Sequence, residues 1–420
     1  MSVSRREFTR LLTLAGPVAV APLRLAWSHP SPLPQGDGEA FWARVREEFV
    51  MPPDLAMFNA ANLCPSSRRV IDSLLKHTRE VDLDPSPANR AKLGPAREAS
   101  RAAIAAYLRV TPDEIVITRN TSEANNLVSS GLNLKAGDEV VIFADNHPSN
   151  HTAWQQKATR AGFTVRILEQ PNPHPGPEYY VEAATKAMTP QTRLLSMTHV
   201  TSTVGDVLPV ADICRVARER GVLTLVDGAQ SFGVLDVDLS KIQPDFYSGS
   251  AHKWPCGPRE NGVLYVRQAV LERIFPTVIS LYGGAAAASR RLEANGQRDE
   301  AAMIAFGEAI ALQKEVGMAR IEARVRTLAR ALADGLRKID GVKVWTSPEP
   351  DRAAAIVSFQ PASLDIRRLN TALYEKDRII CATRGGTDRG GLRFSPHFYN
   401  SMKEIDRTIE AIGRYVRTGV

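Results

Sequence analysis

Residues 222–266 read VLTLVDGAQSFGVLDVDLSKIQPDFYSGSAHKWPCGPRENGVLYV. Three apolar runs punctuate this stretch, at 222–227, 246–250 and 262–266. Each is too short for a helix and is bounded by Gly, Pro or Asp, so each is expected to be a buried strand. Polar groups follow the first two runs at once. Asp227 closes the first and leads into Gly228, Ala229 and Gln230, while Ser250 closes the second and leads into His252, Lys253 and the turn Cys256-Gly257-Pro258. Polar residues gathered just past strand ends are the arrangement of an open, doubly wound sheet, where ligands sit outside the carboxyl ends of the strands.

The same alternation extends in both directions. EIVIT (114–118), EVVIF (139–143), TVRIL (164–168) and LLSMTHV (194–200) read as further strands. PAREASRAAIAAYL, SEANNLVSSGL and VADICRVARERG carry helical spacing between or beside them. The expectation is an α/β fold with a mostly parallel sheet built from βαβ units. Downstream, a long helical segment from Glu300 to about Ile339 precedes VKVW, AAIVSF, RIICATR and GLRFS, which could be strands of a smaller α+β domain closed by a helix from Met402 to Val416. No internal repeat is found.

Composition agrees with a folded enzyme-sized chain. Its 420 residues are 44% apolar and 24% charged, which excludes disordered, collagen-like and coiled-coil classes. The formal charge is +7, yet no basic stripe interleaves with aromatics, so nucleic acid is not an expected partner. Cys64, Cys214, Cys256 and Cys381 show no Cys-x-x-Cys pair, and the sequence predicts neither a disulfide framework nor a metal site.

Residues 1–30 read as an address. Arg5, Arg6 and Arg10 precede an apolar run from Leu11 to Leu23 that is too short to span a bilayer and is interrupted by Gly16, Pro17 and Pro22. Paired arginines before Glu7-Phe8, with the small-x-small triplet Ala19-Val20-Ala21, resemble a twin-arginine export signal. Export to the periplasm or medium, the twin-arginine machinery as a partner and no stable membrane anchor are the expectations. His29 to Gly38 reads as a linker.

Chemistry concentrates around Lys253. A lysine on a Gly/Pro-rich turn at a sheet edge can form a Schiff base if desolvation and a nearby cation free its amine, although a loop lysine by itself is ordinarily a solvated charge. Asp227 at a buried strand end wants a protonated partner, which a pyridinium nitrogen would supply; its bland alternative is a helix N-cap. Thr121 and Ser122 in TRNTSEANN stand at the mouth of a helix, where free N–H groups and the dipole favour a phosphate dianion, or where either residue simply caps the helix.

Taken together, RNTSEANN, DNHPSNHTAW, VDGAQ, SGSAHKWPCGP and LRFSPHFYN occur in an order that resembles the class V aminotransferase family of pyridoxal-phosphate enzymes, which includes cysteine desulfurases and isopenicillin-N-epimerase-like proteins. The resemblance covers roughly Leu55 to Ile412. It implies fold type I, with a large cofactor-binding domain over 55–295, a small domain from 31–54 and 296–420, and a homodimer with a shared active site. It implies that Lys253 forms the Schiff base with pyridoxal 5'-phosphate and that Asp227 pairs with the ring nitrogen. Gln230 would donate to the phenolic oxygen, His147 would stack on the ring as a catalytic residue, and Ser202 would stand where desulfurases have a ring-side asparagine. Ser122, Ser250 and His252, with the backbone of Thr121, would hold the phosphate. Arg393, with Asn62, would bind the substrate, the arginine taking its carboxylate. Gln297 stands where many members have a threonine that reaches the partner subunit's phosphate.

Reaction type follows from the same resemblance only in part. The chemistry would run through an external aldimine and a quinonoid at the α-carbon of an amino acid, or of an amino-acid residue in a secondary metabolite or peptide, giving transamination, epimerisation or elimination. Epimerisation needs a second acid, for which His147, His151 and Tyr282 are candidates. Desulfurases carry a nucleophilic cysteine shortly before the carboxylate-binding arginine, whereas CATRGGTDRGG has none between Arg384 and Arg393. Cys381 reads as a small core residue and Cys256 lies on the wrong element. Arg298-Asp299 after Gly296-Gln297 looks like the isopenicillin-N-epimerase-like branch. The alternatives are a cysteine or selenocysteine lyase and a cofactor-binding scaffold without catalysis.

Overall fold

Seven strands make the main sheet of the computed structural model, which describes residues 33, 36, 38–284, 287–361, 364–385 and 388–420. The expected export signal over 1–30 lies outside the described residues. The strands are β1 (Ile115–Thr118), β2 (Glu139–Phe143), β3 (Thr164–Leu168), β4 (Thr192–Thr198), β5 (Leu223–Asp227), β6 (Phe246–Ser250) and β7 (Gly262–Val266). Their order across the sheet is β1-β7-β6-β5-β4-β2-β3. Only β7 runs antiparallel to its neighbours β1 and β6, because a short turn rather than a crossover joins it to β6.

Strand residues alternate between two apolar layers, the pattern of a sheet covered on both faces. Along β2, Val140 and Ile142 join one core with Val116, Leu225 and Phe246, while Val141 and Phe143 join the other with Ile117, Met197 and Val226. Helices close both layers: α1 (Glu39–Arg46), α2 (Arg68–Leu83), α3 (Gly94–Leu108), α4 (Thr121–Gly131), α5 (Pro148–Ala161), α6 (Pro177–Ala187) and α7 (Val210–Glu219). α5 and α6 begin with a proline in their first turn, where its missing N–H costs nothing, and this is the sequence signal that locates them.

Two expectations change. The single helix from Glu300 to about Ile339 is two helices, α8 (Glu300–Val316) and α9 (Met318–Arg337), parted at Gly317 with φ 95°, a backbone conformation that glycine adopts without strain. RIICATR is likewise not one strand. Ile379–Ile380 pairs in parallel with Ala56–Met57, Cys381 intervenes, and Ala382–Arg384 joins a separate four-stranded sheet.

That sheet contains β8 (Val342–Val344), β9 (Val357–Pro361), β10 (Ala382–Arg384) and β11 (Gly391–Phe394), in the antiparallel order β10-β11-β9-β8. Its own core unites Phe359, Leu392 and Phe394 with α9, α10 (Ile366–Asp377) and α11 (Met402–Thr418). α8, grouped with the smaller domain in the sequence, packs on α2 and α3 and buries Phe306 and Ile310 in the core of the large sheet. The described residues fall within one compact unit. No helix among them is long and apolar enough to cross a membrane.

Candidate active site

The carboxyl ends of β1, β2, β4, β5 and β6 deliver the expected residues to one edge of the sheet. Asp227 is the last residue of β5 and is buried. Its Oδ2 accepts from Asn125 Nδ2 at 2.8 Å and its Oδ1 from the Ala229 amide at 3.0 Å. Asn125 is in turn oriented by Ser248, whose hydroxyl donates to Asn125 Oδ1 at 2.7 Å and whose backbone is the register partner of Asp227 on β6. The turn after Asp227 is tight because Gly228 has no side chain. A Cβ there would lie 2.1 Å from the ring of Tyr247.

The phosphate expectation falls at the start of α4. Asn120 caps this helix by accepting from the Glu123 amide at 3.0 Å, so neither Thr121 nor Ser122 is its cap. The Thr121 amide donates to Ser250 Oγ at 2.9 Å, and the two hydroxyls lie 2.7 Å apart. Two adjacent hydroxyls at a helix N-terminus form an anion cradle. Ser122 is exposed and borders a groove with Asn120, Asn126 and Glu260. His252 is partly buried; burial, with the charges of Lys253 and Arg259, pushes its pKa down to about 4, which keeps the imidazole neutral.

Lys253 follows on the turn after β6. The side chain keeps some accessible surface, but the protein around it withdraws solvent. That desolvation lowers its pKa to about 8; Arg393 and Arg384 push the same way, while Asp227 opposes them. A substantial fraction of free amine near neutral pH is what Schiff-base chemistry requires. His147 caps α5 and its Nδ1 accepts from the Ser149 amide at 3.2 Å. The residue as a whole is exposed, yet nearby protein desolvates the imidazole enough to lower its pKa, and the charge of Lys253 adds to the effect. Gln230 is tied at both ends: Nε2 donates to Ala61 O at 3.0 Å and Oε1 accepts from Trp254 Nε1 at 2.9 Å. Donation to a cofactor oxygen therefore falls to its second amide proton.

At the other end, Arg393 stands on β11 and Arg384 on β10. Arg393 Nη1 and Arg384 Nη2 both donate to the Ser202 carbonyl, at 3.0 and 2.6 Å, and Arg384 also reaches Ser202 Oγ at 3.1 Å. Ser202 thus serves the two arginines. Arg393 Nη2 makes a long contact of 3.4 Å with Asn59 Oδ1, and its buried Nε has no partner among the described residues. Burial and the neighbouring Arg384 lower its pKa to about 9, the mark of a buried cation without a counter-charge. A carboxylate there would fill the orphaned donor and neutralise the charge. Nearby, Arg389 holds Asp145 with two contacts of 2.6 Å, tying the loop after β10 to the segment that carries His147.

Several expectations land elsewhere. Asn62 is exposed and its side chain makes no hydrogen bond among the described residues; the asparagine that meets Arg393 is Asn59, three residues earlier. Gln297 borders an open groove with Arg119, Glu123, Glu260 and Asp299. Tyr282 lies in a groove with Arg97, Arg101 and Ser289, and His151 Nε2 is taken by the Ala144 carbonyl at 3.0 Å. All four cysteines are free and buried. Cys381 contacts Asn370 Oδ1 at 3.2 Å, and burial pushes its thiol far up, as it pushes Cys214 to about 12. Neither Cys381 nor Cys214 is poised as a thiolate nucleophile.

Sequence reading missed Arg384, Asn125 and Asn59. Asn125 had a usable signal, since it follows Thr121 by four residues and so shares its helix face. Arg384 and Asn59 had none, because their roles depend on the contact between two sheets.

The fit to pyridoxal phosphate rests on these groups: a partly free amine, a buried carboxylate oriented by two N–H donors, a hydroxyl-lined helix start and a guanidinium with a buried, unpartnered nitrogen. The family model described as Aminotransferase class-V matches residues 75–408. An isopenicillin N epimerase of Amycolatopsis lactamdurans is 33% identical over 390 residues, covering 88% of this chain and 98% of the relative. A cysteine desulfurase of Haloferax volcanii is 32% identical over 322 residues, covering 71% and 74%. Among solved structures, a C-DES mutant with glycine covalently linked to its PLP cofactor superposes with a TM-score of 0.80 at 25% identity, covering 88% of this chain and 98% of that one.

Proposed function

Since the chain belongs to the aminotransferase class-V family, whose members are pyridoxal-phosphate-dependent enzymes, we propose that it acts as an epimerase- or transaminase-type enzyme on the α-carbon of an amino acid, free or within a secondary metabolite or peptide. The observation that carries this reading is buried Arg393 beside half-buried Arg384, neither with a salt-bridged carboxylate among the described residues, both electrostatically coupled to a lysine whose amine is partly free.

The cofactor, when bound, supplies an electron sink for the charge left by α-proton removal. The chain does the rest. Asp227, oriented by Asn125 and Ala229, would face a ring nitrogen, and Thr121 with Ser250 would receive the phosphate. Arg393 takes the substrate carboxylate and Arg384 adds a second positive charge beside it. Lys253 Nζ moves the α-proton as general base. For inversion a second proton carrier is needed, and His147 is the candidate: its Nδ1 accepts from Ser149 but its Nε2 has no hydrogen-bond partner among the described residues, whereas His151 Nε2 is taken by Ala144.

The reading includes two further parts. Export by the twin-arginine route rests on Arg5-Arg6 and the short apolar run. A homodimer would let Gln297 meet the partner subunit's phosphate from its open groove. A C–S lyase activity is the second reading, favoured by similarity to the Haloferax desulfurase and weakened by the burial of every thiol.

Incubating the holoenzyme with a panel of amino acids and short peptides in D2O separates these outcomes. Solvent deuterium at the α-carbon with the opposite enantiomer supports epimerisation, keto acid supports transamination, and sulfide from cysteine or cystine supports the lyase. No exchange, keto acid or sulfide with any member would sink the reading. Cell fractionation tests export: protein confined to the cytosol with Met1 retained overturns it.

A further inference from the structure

Three side chains that play no part in the site above meet in the core beside the lysine turn. Cys64, Cys256 and His397 are fully buried, and their sulfur and ring-nitrogen atoms lie within 4.8 Å of one another. His397 Nε2 is 2.7 Å from the Trp254 carbonyl. A carbonyl only accepts, so Nε2 carries the proton and Nδ1 is left as a bare lone pair. Nδ1 has no hydrogen-bond partner among the described residues, which is costly for a buried nitrogen.

The thiols are little better satisfied. Cys256 Sγ finds the Trp254 carbonyl at 3.7 Å, and Cys64 Sγ finds Ala60 O at 3.9 Å and Tyr399 Oη at 3.6 Å. Cys256 also holds φ at 57°, a left-handed conformation that residues with side chains adopt sparingly and that surrounding structure must enforce.

We propose that Cys64, Cys256 and His397 form a binding site for a zinc-class divalent transition metal, with the two sulfurs and Nδ1 as ligands. Two sulfurs and one imidazole are a borderline-soft donor set that suits zinc and disfavours calcium or magnesium. Binding expels the two thiol protons, and two thiolates with a divalent ion and a neutral imidazole leave no net charge, as a fully buried site demands. The Trp254 carbonyl on Nε2–H is the outer hydrogen bond that orients a ligating histidine. Tyr399 Oη, 3.6 Å from Cys64 Sγ, is a further polar group for a fourth position. The ion would clamp together three segments: the one leading from Asn59, the turn that carries Lys253, and the one following Arg393.

The test uses the full holoenzyme, produced in zinc-supplemented medium under reducing conditions, dialysed and assayed for metal by mass spectrometry. About one zinc per chain is expected, falling about tenfold or more in Cys64→Ser, Cys256→Ser and His397→Gln. Retained visible cofactor absorption in the variants shows that they have folded. Should they not fold, Co2+ added to the metal-stripped wild-type protein gives a second readout, since two thiolates produce intense sulfur-to-cobalt charge-transfer absorption. Wild-type protein that holds no zinc and gives no cobalt band overturns the proposal. So does undiminished zinc in folded variants, or a thiol titration in denaturant that finds Cys64 and Cys256 joined as a disulfide.

Discussion

At the lysine end of the cleft, Asp227 has both carboxylate oxygens occupied by Asn125 and Ala229, and Asn125 is itself fixed by Ser248. At the far end, Arg384 and Arg393 crowd onto one backbone carbonyl, and one buried guanidinium nitrogen bonds to nothing. The first region is complete without a ligand and is built on parallel strands of the large sheet. The second is completed only by an anion and is built on the small sheet. A charge satisfied by the protein is rigid and ready to hold a cofactor through many turnovers. A charge left unsatisfied costs stability but gives an incoming carboxylate a large return in affinity, because its desolvation has already been met by folding.

Four measurements break or sharpen this contrast. The largest effect belongs to the amine itself: Lys253→Ala should lower kcat by about 10^3-fold or more and abolish the visible absorption of bound cofactor, read by steady-state assay and spectrum. Next comes Arg393→Gln, where removal of a buried carboxylate partner should lower kcat/KM by about 10^2-fold or more, mainly through KM. The same variant should raise the unfolding free energy by about 1 kcal/mol in chemical denaturation of ligand-free protein, since an unpaired buried charge is gone. A destabilised Arg393→Gln protein would show that this end is satisfied after all.

Asn125→Ala should act more mildly, weakening cofactor retention by about tenfold in equilibrium dialysis, the cost of one hydrogen bond to a charged group. An unchanged affinity would mean that Asp227 is held by Ala229 alone. The smallest effect is a shift in pH. Only the free amine of Lys253 can react with an aldehyde, so cofactor uptake by apoenzyme should rise with pH through a midpoint near 8, where the ordinary value for lysine is 10.5. Arg384→Gln removes a positive charge that disfavours the ammonium form and should move that midpoint upward. A downward move would contradict the coupling between the two ends.

Legibility in the sequence followed locality. The strands at 139–143, 246–250 and 262–266 came out with the bounds that their apolar runs suggest, because a strand buried on both faces needs nothing but a short apolar run and a turn at each end. The break at Gly317 was visible as a glycine, but whether it bends or ends a helix depends on its φ, which neighbours decide. Thr121, Asp227, Ser250 and Lys253 were found because each sits within a few residues of a strand end. Asn59, which meets Arg393, was not named, since register within a turn is not encoded by residue type.

By itself, then, the sequence determined the alternation of strands and helices, the family motifs and the lysine, aspartate and hydroxyls at the carboxyl edge of the large sheet. Each of those follows from hydrophobic period and from short-range spacing. Only the tertiary structure decided that Arg384 and Arg393 share the Ser202 carbonyl, that Gln230 is held between Ala61 and Trp254, and that Cys64, Cys256 and His397 converge. Apart from the Gln230–Trp254 bond, which spans 24 positions, the contacts in these groupings join residues 141 to 333 positions apart. Such contacts are set by how packed layers meet, and no local pattern in a chain records the distance between them.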